Sequence, residues 1–99
     1  VGLGGTFEKC AEMSKHALFR KIGSENPDPV LDALEKELLS RINKLGIGAQ
    51  GFSGATTALG LFIESYPTHI SSLPVAVNVL CHCSRAAKFT VDEGGVKYE

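Results

Sequence analysis

Cys81, His82 and Cys83 stand in a row, and His69 lies twelve residues upstream. Thiolate and imidazole together are the ligand chemistry of zinc or of an iron–sulfur cluster. The spacing alone leaves two readings open. A Cys-x-Cys at the end of an apolar strand is as readily a pair of small buried side chains as a ligand pair. A zinc finger would also need a second, separated pair, which is missing. Cys10, within an amphipathic stretch, reads as a core thiol, and His16 and His82 read as surface or hydrogen-bonded histidines. Thr68-His69 differs in kind. It follows Pro67 in a short loop between two apolar segments, where a scaffold holds polar groups in place. A histidine there can donate to a carboxylate or shuttle a proton.

A second motif is a loop. Gly46-Ile47-Gly48-Ala49-Gln50-Gly51 spells G-x-G-x-x-G. A dinucleotide fingerprint requires a strand before it and a helix after it. Here a helical pattern precedes and an apolar, strand-like stretch follows, so that reading fails. No lysine stands before Thr56-Thr57, which removes the phosphate-loop reading as well. What remains is a turn that lets backbone pack closely, or a wall of backbone N–H groups around a small anion.

The elements that must position these groups are legible in part. The opening glycines can close a strand and lead into a helix capped by Thr6. In that helix Phe7, Ala11, Ser14 and Leu18 share a face, with Cys10, Met13 and Ala17 beside it, and Glu8, Lys9, Glu12 and Lys15 on the polar side. Asp28 and Pro29 signal a second helix. Its stripe of Leu31, Leu34, Leu38, Ile42 and Leu45 is expected in the core. Asp32 with Lys36 and Glu37 with Arg41 form four-apart pairs, and Gly46 ends the helix. Residues 58–64 are expected as a buried strand. Residues 74–80, β-branched and almost wholly apolar, are expected as another. Residues 88–92 read as a third, turning at Gly94-Gly95 toward residues 96–98. The expected class is α+β: two amphipathic helices followed by a small sheet of two to four strands.

Composition narrows the function. The 99 residues are 43% hydrophobic and 21% charged, with a net charge of −1. That balance offers no basic patch for nucleic acid or an anionic membrane. No apolar run approaches the roughly 20 residues of a spanning helix. Three cysteines, an odd number, argue for thiols in a reducing compartment, the cytoplasm by default.

Three blocks then give a more specific indication. The segment from Pro67 through Thr68-His69, Leu73-Pro74-Val75 and on to Cys81 is similar to the Thr-His-x-x-x-Leu-Pro-Val stretch that leads to a cysteine in class I fumarases and L(+)-tartrate dehydratase alpha subunits. Gly46-Ile47-Gly48 followed by Gly54-Ala55-Thr56-Thr57-Ala58-Leu59 resembles that family's Gly-Ile-Gly and Gly-x-Thr-Thr-Ala-Leu loop. Gly2-Leu3-Gly4-Gly5-Thr6-Phe7-Glu8-Lys9 resembles its Gly-x-Gly-Gly run at a helix start. The blocks occur in the family's order and cover nearly the whole chain.

This resemblance implies that residues 1–99 are the C-terminal portion of an alpha-type catalytic domain in an iron–sulfur hydro-lyase. It implies a [4Fe–4S] cluster held by three cysteines, its open iron acting as a Lewis acid in the reversible hydration of a C4 dicarboxylate. Carried over by position, Cys81 matches the last cluster ligand and His69 matches the histidine that contacts the dicarboxylate. Cys10 and Cys83 stand where the family has small residues and match no ligand. Ala55 replaces a residue that is often basic, and Ser53 replaces a glycine. The implied partner is a beta domain or beta subunit, within an oligomer. One matching ligand cannot hold four irons, so the 99-residue chain alone is expected to be inactive. Fumarate to malate is the expected reaction, with L(+)-tartrate dehydration the alternative. A small metal or redox module built on Cys81, His82 and Cys83, or a non-catalytic remnant, are the readings from other classes.

Overall fold

The computed structural model describes residues 1–81 and 87–98. His82 and Cys83, and with them the expectations placed on that pair, lie outside the described residues.

Strand β1 (Gly2–Gly4) opens the fold and helix α1 (Phe7–His16) follows it directly. Thr6 caps α1 in extended backbone, its side chain accepting from the Lys9 N–H at 3.2 Å. A 3-10 turn at residues 17–19 ends it. Helix α2 (Pro29–Lys44) starts as the sequence signals: Pro29 occupies the first turn, and Asp28 accepts from the Val30 N–H at 2.9 Å. The pairs Asp32–Lys36 at 2.7 Å and Glu37–Arg41 at 2.6 Å form on its surface. Strands β2 (Glu64–Tyr66) and β3 (Val75–Ala76) return to β1. Together they make a three-stranded sheet in the order β2-β1-β3, with β2 parallel to β1 and β3 antiparallel. The parallel pairing accounts for the long excursion between β1 and β2, since parallel neighbours need a crossover and here both helices provide it. A separate hairpin, β4 (Phe89–Asp92) with β5 (Gly95–Tyr98), turns through Glu93-Gly94, where Asp92 accepts from the Gly94 N–H at 2.8 Å.

The α+β class is as expected, with one change of order: the central strand precedes the helices. The core lies between α1 and β1. Cys10, Met13, Ser14 and Ala17 of α1 and its 3-10 extension are buried there, with Ile63. The inward face is therefore the Cys10–Met13–Ala17 row, and Phe7, expected inside, is 79% exposed. Gly2 explains the choice. A Cβ there would overlap the Cys10 carbonyl oxygen, so the helix rides directly on strand backbone, and only small or flexible side chains fit at the contact.

Three further expectations are corrected. The leucine stripe of α2 is only half-buried and Leu45 is exposed; the residue α2 buries is Glu35. Residues 58–63 do not form a strand. The Thr57 and Ala58 N–H groups both donate to Asn43 Oδ1 at 2.8 Å, which takes them away from any ladder, and the Phe62 ring lies against Gly60. Strand β3 shrinks to two residues, and Val77 and Val79 beyond it are exposed. Its partner β1 is only three residues long, and Pro74 has no N–H to pair.

Candidate functional site

The β1–α1 turn and the 67–72 loop face each other across an open cleft of about 470 Å³. Sequence places them there through close backbone approach. Gly4 has φ +89°, and a Cβ on it would strike the Tyr66 carbonyl, so only glycine lets β2 lie this close to the turn. The Gly4 N–H donates to the Pro74 carbonyl at 2.8 Å, and Thr68 Oγ1 donates to the Gly5 carbonyl at 3.1 Å. Thr68 thus anchors the loop that carries His69 onto the start of α1, and Ser72 Oγ lies 3.3 Å from the same Thr68 hydroxyl.

His69 is exposed at this cleft. Its Nδ1 lies 2.6 Å from Ser71 Oγ and accepts from the Ser71 N–H at 3.1 Å. Lys9 lines the opposite wall, its ammonium 5.0 Å above the Tyr66 ring. Cleft, lysine, imidazole and the N-terminal end of α1 form an anion-favouring surface, because a helix N-terminus and an ammonium both lower the energy of a bound carboxylate. The sequence reading assigned Lys9 only to a polar helix face and did not single out Ser71. For Lys9 a signal existed: it is the third residue after the Thr6 cap, on the turn that the glycine run must bring against a neighbour.

Cys81 is exposed five residues beyond the end of β3, so His69 and Cys81 flank β3 on one continuous stretch. Among the described residues no group of three or more His, Cys, Asp or Glu side chains could hold a metal ion. An exposed thiol suits a soft iron–sulfur site, yet the described residues offer one such ligand rather than a set. Cys10 is excluded from that role. It is 1% exposed, and its thiol donates to the Gly2 carbonyl at 3.2 Å, as expected for a core cysteine.

The glycine-rich loop does not make an open wall of N–H donors. Gly48 donates to Thr57 Oγ1, Ser53 to the Ile47 carbonyl, Phe52 to the Ala49 carbonyl, and Thr57 and Ala58 to Asn43. Its donors chiefly tie the loop to itself and to the end of α2. Ser53, where the resembling family has glycine, has φ +64°. That is the left-handed region that glycine enters without penalty.

A polar cluster beside Ile63, the residue that precedes β2, docks α2. Buried Glu35 Oε1 accepts from Arg20 at 2.5 Å, from the Asn26 side chain at 3.0 Å and from the Ile63 N–H at 2.8 Å. Burial pushes the carboxyl pKa up, but the Arg20, Asn26 and Ile63 hydrogen bonds and the Arg20 charge more than offset it, so the pKa lies below the ordinary 4.5.

No helix among the described residues is long and apolar enough to cross a membrane. Over residues 1–90 the sequence matches the family described as fumarate hydratase (Fumerase). It is 47% identical over 87 residues to a protein of Methanocaldococcus jannaschii provisionally named L(+)-tartrate dehydratase subunit alpha, covering 88% of this chain and 30% of that relative. It is 38% identical over 91 residues to the L(+)-tartrate dehydratase subunit alpha of Escherichia coli K12, covering 92% of this chain and again 30% of the relative. The chain thus spans about 30% of the length of the curated relatives it matches. The matched span includes the glycine turn under α1, the Thr68-His69 loop and Cys81, and by that match the chain belongs to the fumarate hydratase (Fumerase) family.

Proposed function

We propose that this chain is the C-terminal portion of the alpha-type domain of a cytoplasmic, oligomeric [4Fe–4S]-dependent hydro-lyase that reversibly hydrates a C4 dicarboxylate, fumarate to malate. The observation that carries the reading is the family match across residues 1–90, which contains both His69 and Cys81. Cys81 is one thiolate ligand of the cluster, and the remaining ligands come from outside this chain. His69 contacts a substrate carboxylate. Its Nδ1 is occupied by Ser71, which leaves Nε2 to face the ligand. Lys9 and the α1 N-terminus balance the negative charge of the dicarboxylate in the same cleft. Both work on the ground-state anion, so their contribution falls chiefly on binding.

A second reading, L(+)-tartrate dehydration, is favoured by the names of the relatives. Their designation as alpha subunits also supports a beta subunit as the partner that completes the site. The deciding experiment is an anaerobic assay of the assembled enzyme with fumarate and L(+)-tartrate in parallel. Turnover of fumarate with the higher kcat/KM, and no turnover by the 99-residue chain alone, is the expected result. Preference for L(+)-tartrate selects the second reading. Full activity in a preparation freed of iron overturns both.

A further inference from the structure

His69 is the only described side chain in the cleft whose proton has two possible seats, and the structure puts two groups of one residue against one of them. The Ser71 backbone N–H donates to Nδ1 at 3.1 Å, and the Ser71 hydroxyl lies 2.6 Å from the same nitrogen. A backbone N–H has no acceptor capacity, so it opposes a proton on Nδ1, whereas a hydroxyl can turn its hydrogen toward the ring. We infer that Ser71 is a positioning residue that holds neutral His69 as the Nε2–H tautomer, its Nδ1 occupied and its Nε2–H presented to the substrate carboxylate. The role rests on the proposed contact between His69 and the dicarboxylate.

The loop gives Ser71 the rigidity this needs. Ser72 N–H donates to the His69 carbonyl at 3.0 Å, closing a turn across residues 69–72, and Thr68 ties that turn to Gly5. The other ionisable groups at the cleft are Lys9 on α1 and Tyr66 on β2, and they engage each other, the Lys9 ammonium lying 5.0 Å above the Tyr66 ring. A His69 ring fixed by Ser71 needs no reorientation when a carboxylate arrives, which is how a supporting hydrogen bond tunes an imidazole donor.

The test uses the assembled enzyme labelled with 15N-histidine, with His69→Gln to assign the signal. Wild type is expected to show an unprotonated Nδ1 and a protonated Nε2 above the imidazole pKa. Ser71→Ala removes the hydroxyl but keeps the backbone N–H, so Nδ1 should stay unprotonated while the ring loses one of its two restraints, and KM for the dicarboxylate is expected to rise roughly 3–10-fold, the loss of one ordinary hydrogen bond, with kcat nearly unchanged. Ser71→Thr, which keeps the hydroxyl, restores KM. A protonated Nδ1 in wild type overturns the inference, as does a Ser71→Ala enzyme with wild-type KM. An unchanged KM in His69→Gln is a different failure, that of the substrate contact itself. The nitrogen signals then still decide whether Ser71 sets the tautomer.

Discussion

Two groups of residues around the small sheet are built on opposite terms. Around Glu35, one buried carboxylate gathers donors from Arg20, Asn26 and the Ile63 backbone, three separate stretches of chain, and every donor is satisfied within hydrogen-bond distance. Around His69 and Cys81 the side chains are exposed, and the interactions described for the histidine come from its own loop. The first group fixes where the helices sit. The second presents groups outward. A residue that holds a fold must have its partners inside the chain, whereas a residue that meets a ligand must keep part of its bonding capacity unused.

That contrast is open to direct attack. On the proposed function, the largest expected effect is on the outward-facing group: Cys81→Ala in the assembled enzyme should remove cluster absorbance and bring activity to background, while the unfolding midpoint of the apoprotein stays at the wild-type value. A large fall in that midpoint would mean that Cys81 is structural and the contrast false. Glu35→Ala should do the reverse. It strands Arg20, Asn26 and the Ile63 N–H, and costs about 3 kcal/mol in denaturant unfolding, toward the low end for a broken buried pair because Arg20 keeps some contact with water. The same carboxylate sets a pH dependence. Its folded pKa lies below the ordinary 4.5, so its contribution is complete above about pH 5 and is lost as pH falls through the folded value. Wild-type stability should therefore drop in acid more steeply than that of Glu35→Gln.

Smaller effects fall at the glycine loop, which lies between these extremes. Asn43→Ala frees the Thr57 and Ala58 N–H groups at once and should cost about 1–2 kcal/mol, with faster proteolysis of residues 46–58 as the local readout. Ser53→Gly should raise stability by about 1 kcal/mol, because it relieves a side chain held at φ +64°. Destabilisation instead would mean that the serine hydroxyl, and not the backbone angle, matters at that turn.

Local chemistry made much of this readable beforehand. Thr6 and Asp28 cap the helices they were expected to cap, since a capping side chain needs only the N–H groups two or three residues ahead. The hairpin turn, at Glu93-Gly94 and so one residue earlier than expected, is equally local. Apart from Phe7, the misreadings required a partner distant in sequence. Leu31, Leu34 and Leu38 have the period of a core face, but what α2 buries is decided by Arg20 and Ile63 meeting Glu35. Residues 74–80 have the composition of a buried strand, but a strand is only as long as its neighbour, and β1 offers three residues.

For the site the division is similar. Residue type offered three histidines and three cysteines, and the resemblance to the family's motifs singled out His69 and Cys81 from them. Sequence could not show that Lys9 stands across a cleft from His69, since sixty residues separate them and only the pairing of β1 with β2 brings them near. Nor could it show which nitrogen of His69 is covered. A motif fixes which groups are available. Hydrogen-bond direction depends on where the backbone of Ser71 points, and that is settled by the turn that Thr68 anchors to Gly5.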